Sequence, residues 1–303
     1  MDVSVVIPTY NRESTIRECI MSVLMQTERP LEIIVVDDHS SDRTVEIVRE
    51  LKRQYGLIKL LMLKSNHGAQ YARNCGIKFA KGEWIAFLDS DDYWLSNKLE
   101  IQKEWIQNNP NYDAFYGDYY VLKNGKKKYI RCKMSSNNGD LHREILFSSK
   151  VLFQTLIVKR KALMDIGMLD INVPAYQEWD TNIRLSSQYR YFYINKPLFL
   201  YNLHDGDTIS KDGKREIAGF EYVIKSNVDL FFSVDPSKSI STYYDGMRFR
   251  YERHGYKALA SMYGSLNIFW EYVLQVRYIN HLVVYFHNNK WKRDIEQIKQ
   301  KDR

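Results

Sequence analysis

The chain has 303 residues, 45% of them hydrophobic and 14% aromatic, which is enough to build a buried core in one large domain or two modest ones. A formal net charge of +7 raises the question of nucleic acid. The cations are scattered apart from "KNGKKK" (123–128), "KRK" (159–161) and the tail "KWKRDIEQIKQKDR", and no zinc finger or RNP-type aromatic pattern accompanies them, so a nucleic-acid partner is excluded.

Taken in chain order, the first element is "VSVVI" (3–7), which no basic n-region precedes, so no secretory signal is expected. It is followed by "LEIIVV" (31–36), "LIKLLML" (57–63) and "EWIAFL" (83–88), short branched apolar runs of the kind buried parallel strands require. Asn11 is read as the N-cap of a helix whose Ile16, Ile20, Val23 and Leu24 share one face. After "HSSD", Val45, Val48 and Leu51 recur every three residues, and "GAQYARNCGIKFAKG" predicts a third helix with Gly82 as its C-cap. This alternation predicts an α/β fold: a mostly parallel central sheet flanked by helices, with right-handed crossovers.

Further on, "YYVLKNGKKKYI" predicts a hairpin around Asn124 and Gly125, and "KALMDIG" a short helix ending at Gly167. Beyond about residue 210, Tyr-rich amphipathic segments predict a helical appendage that packs on the catalytic domain, dimerises or touches a membrane. Core packing is the preferred reading of its aromatic stripe, and attraction to anionic lipid headgroups is the second reading of its mixed basic and aromatic residues. The longest late uncharged run, residues 258–270, is too short to span a bilayer. Cys19, Cys75 and Cys132 form no CxxC pair and read as reduced thiols of a cytosolic protein. The expected organisation is a catalytic domain over 1–210, divided near residue 95 into nucleotide and acceptor halves, followed by a helical region over 211–303.

A parallel sheet has its ligand crevice at the C-terminal strand ends. Four polar clusters fall there: Pro8 to Asn11, Asp37 and Asp38, Asn66 and Gly68, and Asp89 to Asp92 in "FLDSDDYW". Neither G-x-G-x-x-G nor a P-loop follows the first strand, where the chain has "PTYNRES". A bound diphosphate must therefore be met by recruited cations, which a D-x-D pair can hold. Asp38 can accept an N–H from a base, Tyr10 can pack on its ring, and Arg73 can meet phosphate oxygens with its planar fork. Asp37 reads as a strand-end or cap residue, and Asp92 as a helix-capping carboxylate ahead of "YWLSNKLEIQKEW".

The segments "VSVVIPTYNRESTIRECIMSVLMQT", "IIVVDDHSSDRT", "NHGAQYARNCGIKFAKGEWIAFLDSDD" and "QEWDTNIRL" resemble, in order, the hallmark segments of the family 2 glycosyltransferases, inverting enzymes with the A-type nucleotide-sugar fold. The resemblance covers about residues 1–205. It implies that Pro8, Tyr10 and Asp38 hold the nucleotide, that Asp89 lies near ribose and metal, and that Asp91 coordinates a Mn²⁺ or Mg²⁺ ion. It matches Arg73 to the arginine of an "ARN" segment at the nucleotide site, and His204 in "YNLHDGDTIS" to a metal or phosphate contact. It further implies a nucleotide-sugar donor, most simply UDP-linked, and a saccharide or lipid-linked saccharide acceptor in bacterial polysaccharide synthesis, at the inner face of a membrane.

Inverting transfer needs a carboxylate to take the acceptor proton. Where the family has an "ED" pair ahead of an arginine, alignment on Arg184 puts Gln177 and Glu178, so Glu178 is the expected base. Asp180 is its rival, although at i and i+4 it can pair with Arg184 on the helix surface while Trp179 and Ile183 pack inward. Two competing functions are a nucleotidyltransferase, against which "PTYNRES" argues, and a catalytically silent nucleotide- or saccharide-binding scaffold.

Overall fold

Strand β1 (Val3–Thr9) is buried along its whole length, as a parallel strand covered on both faces must be. A computed structural model describes residues 1–123, 125–134, 138–202 and 212–275 of the chain. In it β1 pairs in parallel with β2 (Glu32–Asp37) on one side and with β4 (Trp84–Phe87) on the other, and β2 pairs with β3 (Ile58–Met62). Helices α1 (Ile16–Leu24), α2 (Thr44–Gln54) and α3 (Ala69–Phe79) make the connections. Val5, Ile7, Ile20, Ile33, Val35 and Val48 have no solvent exposure in the core between sheet and helices. Burial of such a side chain is worth ~1.5–3 kcal/mol.

Two expected caps have other roles. Asn11 lies well before α1, in a left-handed conformation (φ 50°), and the helix starts after Thr15. The C-cap of α3 is Ala80. Gly82 serves close packing instead: a Cβ there would lie 2.6 Å from the Ser4 amide nitrogen of β1.

The chain then leaves the parallel pattern. After β5 (Tyr93–Trp94) and α4 (Lys98–Asn108), β6 (Ala114–Lys123) and β7 (Lys126–Ile130) form the expected hairpin, with Lys123 opposite Lys126; Asn124 lies outside the described residues. There follow α5 (His142–Leu146), β8 (Ile157–Lys159), α6 (Arg160–Asp165), α7 (Gln177–Ser186) and β9 (Tyr191–Asn202). Gly167 follows α6 with φ 77°, the left-handed residue that ends a helix. The sheet order is β3-β2-β1-β4-β8-β6-β9-β5, with β7 on β6. Strand β8 runs antiparallel to both β4 and β6, while β6 and β9 pair in parallel with a register shift at Gly117 to Tyr119. The start of β8 and the ends of β1, β2 and β4 thus share one edge.

The chain divides into two units, Met1–Asp207 and Thr208–Arg303. In the second, α8 (Gly213–Ser226), α9 (Val228–Val234), α10 (Pro236–Arg253) and α11 (Lys257–Gln275) are helical, as expected. Asp212 and Asp235 cap α8 and α10 by accepting from the backbone nitrogens of Arg215 and Lys238. Tyr243, Tyr244 and Tyr263 are buried with ring centroids 5.1–6.2 Å apart, so these members of the aromatic stripe serve as core. Among the described residues, no helix is long and apolar enough to cross a membrane.

Candidate active site

The sheet edge gathers the four polar clusters. At the end of β1, Pro8 is buried and Tyr10 is 45% exposed, its ring open to a ligand. The left-handed turn at Asn11 lets its side-chain oxygen accept from the Ser41 amide (2.9 Å), while its own amide donates to the Ser40 hydroxyl (2.9 Å). This ties the β1 loop to the β2 loop. Asp37 accepts from the Ser40 amide (3.0 Å), the strand-end role expected of it. Asp38 is buried and accepts from the backbone amides of His67 (2.8 Å) and Gly68 (2.7 Å). It therefore fixes the loop that opens α3, and each carboxylate oxygen keeps a second lone pair.

The D-x-D carboxylates differ sharply in environment. One oxygen of Asp89 meets the Arg73 guanidinium and the other accepts from Gln154 Nε2 (2.6 Å). Arg73 is buried, held also by Gln70 (3.1 Å), with its guanidinium 5.1 Å from the centre of the Phe153 ring. Its fork faces Asp89. Asp91, with a quarter of its side chain exposed, lies 3.6 Å from Arg12. Asp92 is not a helix cap: α4 begins six residues later behind Asn97, and the Asp92 side chain is buried, accepting from the same Gln154 nitrogen (3.1 Å). A carboxylate buried under the loop needs an internal donor, and Gln154 supplies it.

Glu178 stands in the first turn of α7, which begins after the left-handed Tyr176 (φ 64°). Burial and then the charge of Asp89 raise its pKa, against the opposing pull of Arg73, so Glu178 shares one electrostatic environment with the D-x-D clamp. Gln177 points away, its amide donating to the Pro174 carbonyl (3.3 Å). Asp180 pairs with Arg184 as expected (2.7 and 2.9 Å), but as a buried pair, since its side chain is only 2% exposed. The Arg184 fork also binds the carbonyls of Ile166 and Met168, and so draws Asp180 into the interior. His204 lies outside the described residues.

Two residues escaped the sequence reading. Gln154 precedes an antiparallel strand, so no strand-end rule for a parallel sheet finds it. Tyr201, at the end of β9, has its phenol pKa raised by burial and then by Asp92, Asp91, Asp89 and Glu178, which puts it in the same carboxylate field.

Among the described residues no group of three or more His, Cys, Asp or Glu side chains forms a metal cage. The donor chemistry nevertheless suits a hard cation shared with substrate: Asp91 is a partly exposed carboxylate beside Asp89, and Mg²⁺-type ions commonly take one or two carboxylates and complete their shell with phosphate oxygens and water.

Comparison with known proteins bears on the family and the fold. The family model "Glycosyl transferase family 2" matches residues 4–167. The Escherichia coli protein named UDP-Glc:alpha-D-GlcNAc-diphosphoundecaprenol beta-1,3-glucosyltransferase WfaP is 31% identical over 74% of this chain and 86% of its own. A second Escherichia coli protein with the same described activity, WfgD, is 46% identical over 58% of this chain and 68% of its own. Among solved structures, Staphylococcus aureus TarS residues 1–349 in complex with UDP-GlcNAc has a TM-score of 0.67 at 22% identity, covering 83% of this chain and 72% of that one. The Pyrobaculum calidifontis mannosyltransferase PcManGT, in complex with GDP-Man and Mn²⁺, has a TM-score of 0.61 at 18% identity, covering 95% and 82%. At these identities the two structures bear on the fold alone. With its motifs, its fold and its relatives in agreement, the chain is an enzyme that belongs to glycosyl transferase family 2.

Proposed function

We propose that this enzyme transfers a hexosyl unit, with inversion, from a UDP-sugar to a hydroxyl of a lipid-linked saccharide, in bacterial cell-surface polysaccharide synthesis on the cytoplasmic face of the membrane. The observation that carries this reading is that Glu178 lies within the electrostatic reach of Asp89 and Arg73, the carboxylate and guanidinium that are paired at the edge where the strand-end loops converge. The described activities of WfaP and WfgD support the donor and acceptor classes.

In this reading Tyr10 offers its ring to the base, Pro8 backs the loop beneath it, and Asp38 accepts from the base while holding the α3 loop. Arg73 acts through Asp89, which it orients toward the ribose. Asp91, with Asp89, would hold a divalent cation, which when bound neutralises charge on the donor diphosphate. Glu178 takes the proton from the acceptor hydroxyl as its oxygen attacks the anomeric carbon from the face opposite the leaving diphosphate. Burial suits Glu178 to this task, because a raised pKa makes its carboxylate a stronger base.

The test is thermal stabilisation by a panel of nucleoside diphosphates, each with and without Mn²⁺, on the wild type and Asp91→Ala. A ligand that binds only the folded site raises the melting temperature by mass action. UDP with Mn²⁺ should stabilise the wild type, and Asp91→Ala should lose the Mn²⁺-dependent part. If no nucleotide shifts the wild type at saturation, the donor site is wrong.

A further inference from the structure

A cavity of about 210 Å³ lies apart from the D-x-D loop among Tyr116 of β6, Arg131, Lys133 and the apolar Met134 after β7, Asn138, and Tyr193 and Asn195 of β9. Its chemistry is one-sided. The carboxylate beside it, Asp118, has no solvent exposure and is fully engaged: one oxygen accepts from the Cys132 amide and the Tyr193 hydroxyl (both 2.7 Å), the other from the Tyr193 (2.9 Å) and Tyr129 hydroxyls. Arg131 hydrogen-bonds Tyr193 as well, and Asn138 accepts from the Tyr193 amide (2.8 Å), leaving its amide nitrogen as the second polar end. What the walls offer a ligand is therefore a guanidinium, an ammonium and amide N–H groups.

The Tyr116 hydroxyl adds an independent sign. The residue is fully buried, its hydroxyl has no hydrogen-bond partner, and it lines this cavity. Burial raises its pKa, so the group is protonated and has a hydrogen bond to give. Buried hydroxyls are normally paired, and one left unpaired beside a donor-rich cavity indicates a ligand oxygen as the intended partner.

We propose that this cavity is an anion subsite that binds a phosphate carried by the acceptor, an assignment that rests on the glycosyltransferase reading above. The sheet supports the connection. Strand β6 lies two strands from β4, at whose end Asp89 stands, which is about 10 Å at the usual strand spacing. A line of contacts runs from Tyr116 to the Tyr191 ring (6.3 Å), from the Tyr191 hydroxyl to Asn182 (2.8 Å), and from Asn182 to the Glu178 carbonyl (2.7 Å). That strand-to-strand distance is about the length of a saccharide of one or two rings, and the buried Tyr191 and Asn182 join the cavity wall to the helix of Glu178; in this proposal the phosphate at the reducing end occupies the cavity and the acceptor hydroxyl is directed toward Glu178.

The experiment uses the full chain with its donor site saturated by UDP and Mn²⁺, and titrates hexosamine 1-phosphate and, separately, inorganic phosphate by calorimetry. The variants are the double substitution Arg131→Gln, Lys133→Gln, and Tyr116→Phe. The wild type should bind the sugar phosphate saturably and the double variant at least tenfold more weakly. In steady-state assays with a diphosphate-linked saccharide, the double variant should raise the acceptor KM at least tenfold and leave the donor KM and kcat within twofold. Tyr116→Phe should melt higher than the wild type without ligand, since it loses only an unpaired hydroxyl, yet bind the phosphate more weakly. It tests the site by itself if the double variant does not fold. Equal binding in the wild type and Tyr116→Phe, or no saturable binding to the wild type, overturns the subsite. Inorganic phosphate binding as tightly as the sugar phosphate, with an unchanged acceptor KM in the variants, overturns the acceptor assignment in favour of a free ion or a headgroup. If the wild type turns over no diphosphate-linked acceptor while Tyr116→Phe still loses phosphate binding, the subsite stands and the functional reading falls.

Discussion

Residues 3–92 and residues 114–202 build one sheet by different rules. In the first stretch every strand is parallel, so each strand's last residue faces the same crevice, and Pro8, Asp37, Asp38 and Asp89 reach it simply by following a strand. In the second stretch directions are mixed, with β8 antiparallel to its neighbours and β6 and β9 parallel to each other, and the candidate site draws on what precedes an antiparallel strand (Gln154), what begins a helix (Glu178) and what ends a long bulged strand (Tyr201). In the proposed reading the first region carries the donor chemistry, on loops tied to each other through Asn11, Ser40 and Asp38. The second completes that chemistry from beneath and beside it. The proposed function assigns nucleotide holding to the first region and acceptor chemistry to the second, and substitutions can pull the two apart.

The largest expected effect is at Glu178. Glu178→Gln should lower kcat by roughly 10²–10⁴ and leave UDP binding within about twofold, as measured by sugar transfer and by UDP titration. Loss of both together would erase the division between the regions. The same substitution has a stability signature. Burial, and then Asp89, raise the Glu178 pKa above its unfolded-state value, so the folded protein takes up this proton more readily than the unfolded chain. The contribution of Glu178 to stability therefore falls as pH rises from the unfolded pKa through the raised folded one, and its cost is complete above that window. Glu178→Gln removes the cost, so melts at neutral to alkaline pH should show the inactive variant more stable than the wild type, with the difference vanishing in acid. In the wild type, kcat/KM should fall as pH drops through the raised pKa, because the base becomes protonated.

The next effect, at Gln154, tests whether the second region supports the first. Its amide spans Asp89 and Asp92, and a hydrogen bond to a charged group is worth ~1.5–3 kcal/mol. Gln154→Ala should raise the donor KM by about tenfold or more, because Asp89 keeps only its Arg73 contact, and should lower kcat much less. A donor KM within twofold of wild type, in a variant that melts normally, would mean that Arg73 alone positions Asp89.

This division also explains what the sequence made legible. Branched apolar runs marked β1 to β4 within a residue or two; β1, β2 and β4 are buried along their whole length, where a strand admits little else, while β3, half-buried at the sheet edge, was marked by its apolar run alone. The D-x-D pair was legible because parallel topology places every strand end alike. Gln154 was not, because whether a polar residue before "TLIVK" reaches the site depends on β8 running backwards, and three residues of β8 carry no sign of direction. Asp92 was misread for a related reason. A carboxylate before a helix pattern looks like a cap, and nothing local announces that Gln154 arrives from a segment more than sixty residues away to donate to it in the interior. Asn11 looked like a cap on the same logic, whereas its left-handed backbone serves the neighbouring loop.

The smallest expected effect on catalysis is at Asp180, and it decides between the two carboxylates of α7. Asp180 is two residues from Glu178, which on a helix turns it to a different face, and there it is buried against Arg184. Asp180→Asn keeps an oxygen for Arg184 but drops the charge, leaving a half-buried guanidinium without its counter-ion. Urea unfolding should show a loss of ~1.5–3 kcal/mol, the value of a hydrogen bond to a charged group. Transfer measured per folded molecule should stay within about twofold, because neither the Asp89 clamp nor Glu178 depends on that charge. The pair of results at Glu178 and Asp180 is then a double dissociation: one substitution removes catalysis and raises stability, the other lowers stability and spares catalysis. Should Asp180→Asn remove catalysis in a folded protein while Glu178→Gln spares it, the base is the buried carboxylate and α7 must turn its Arg184 face toward the acceptor.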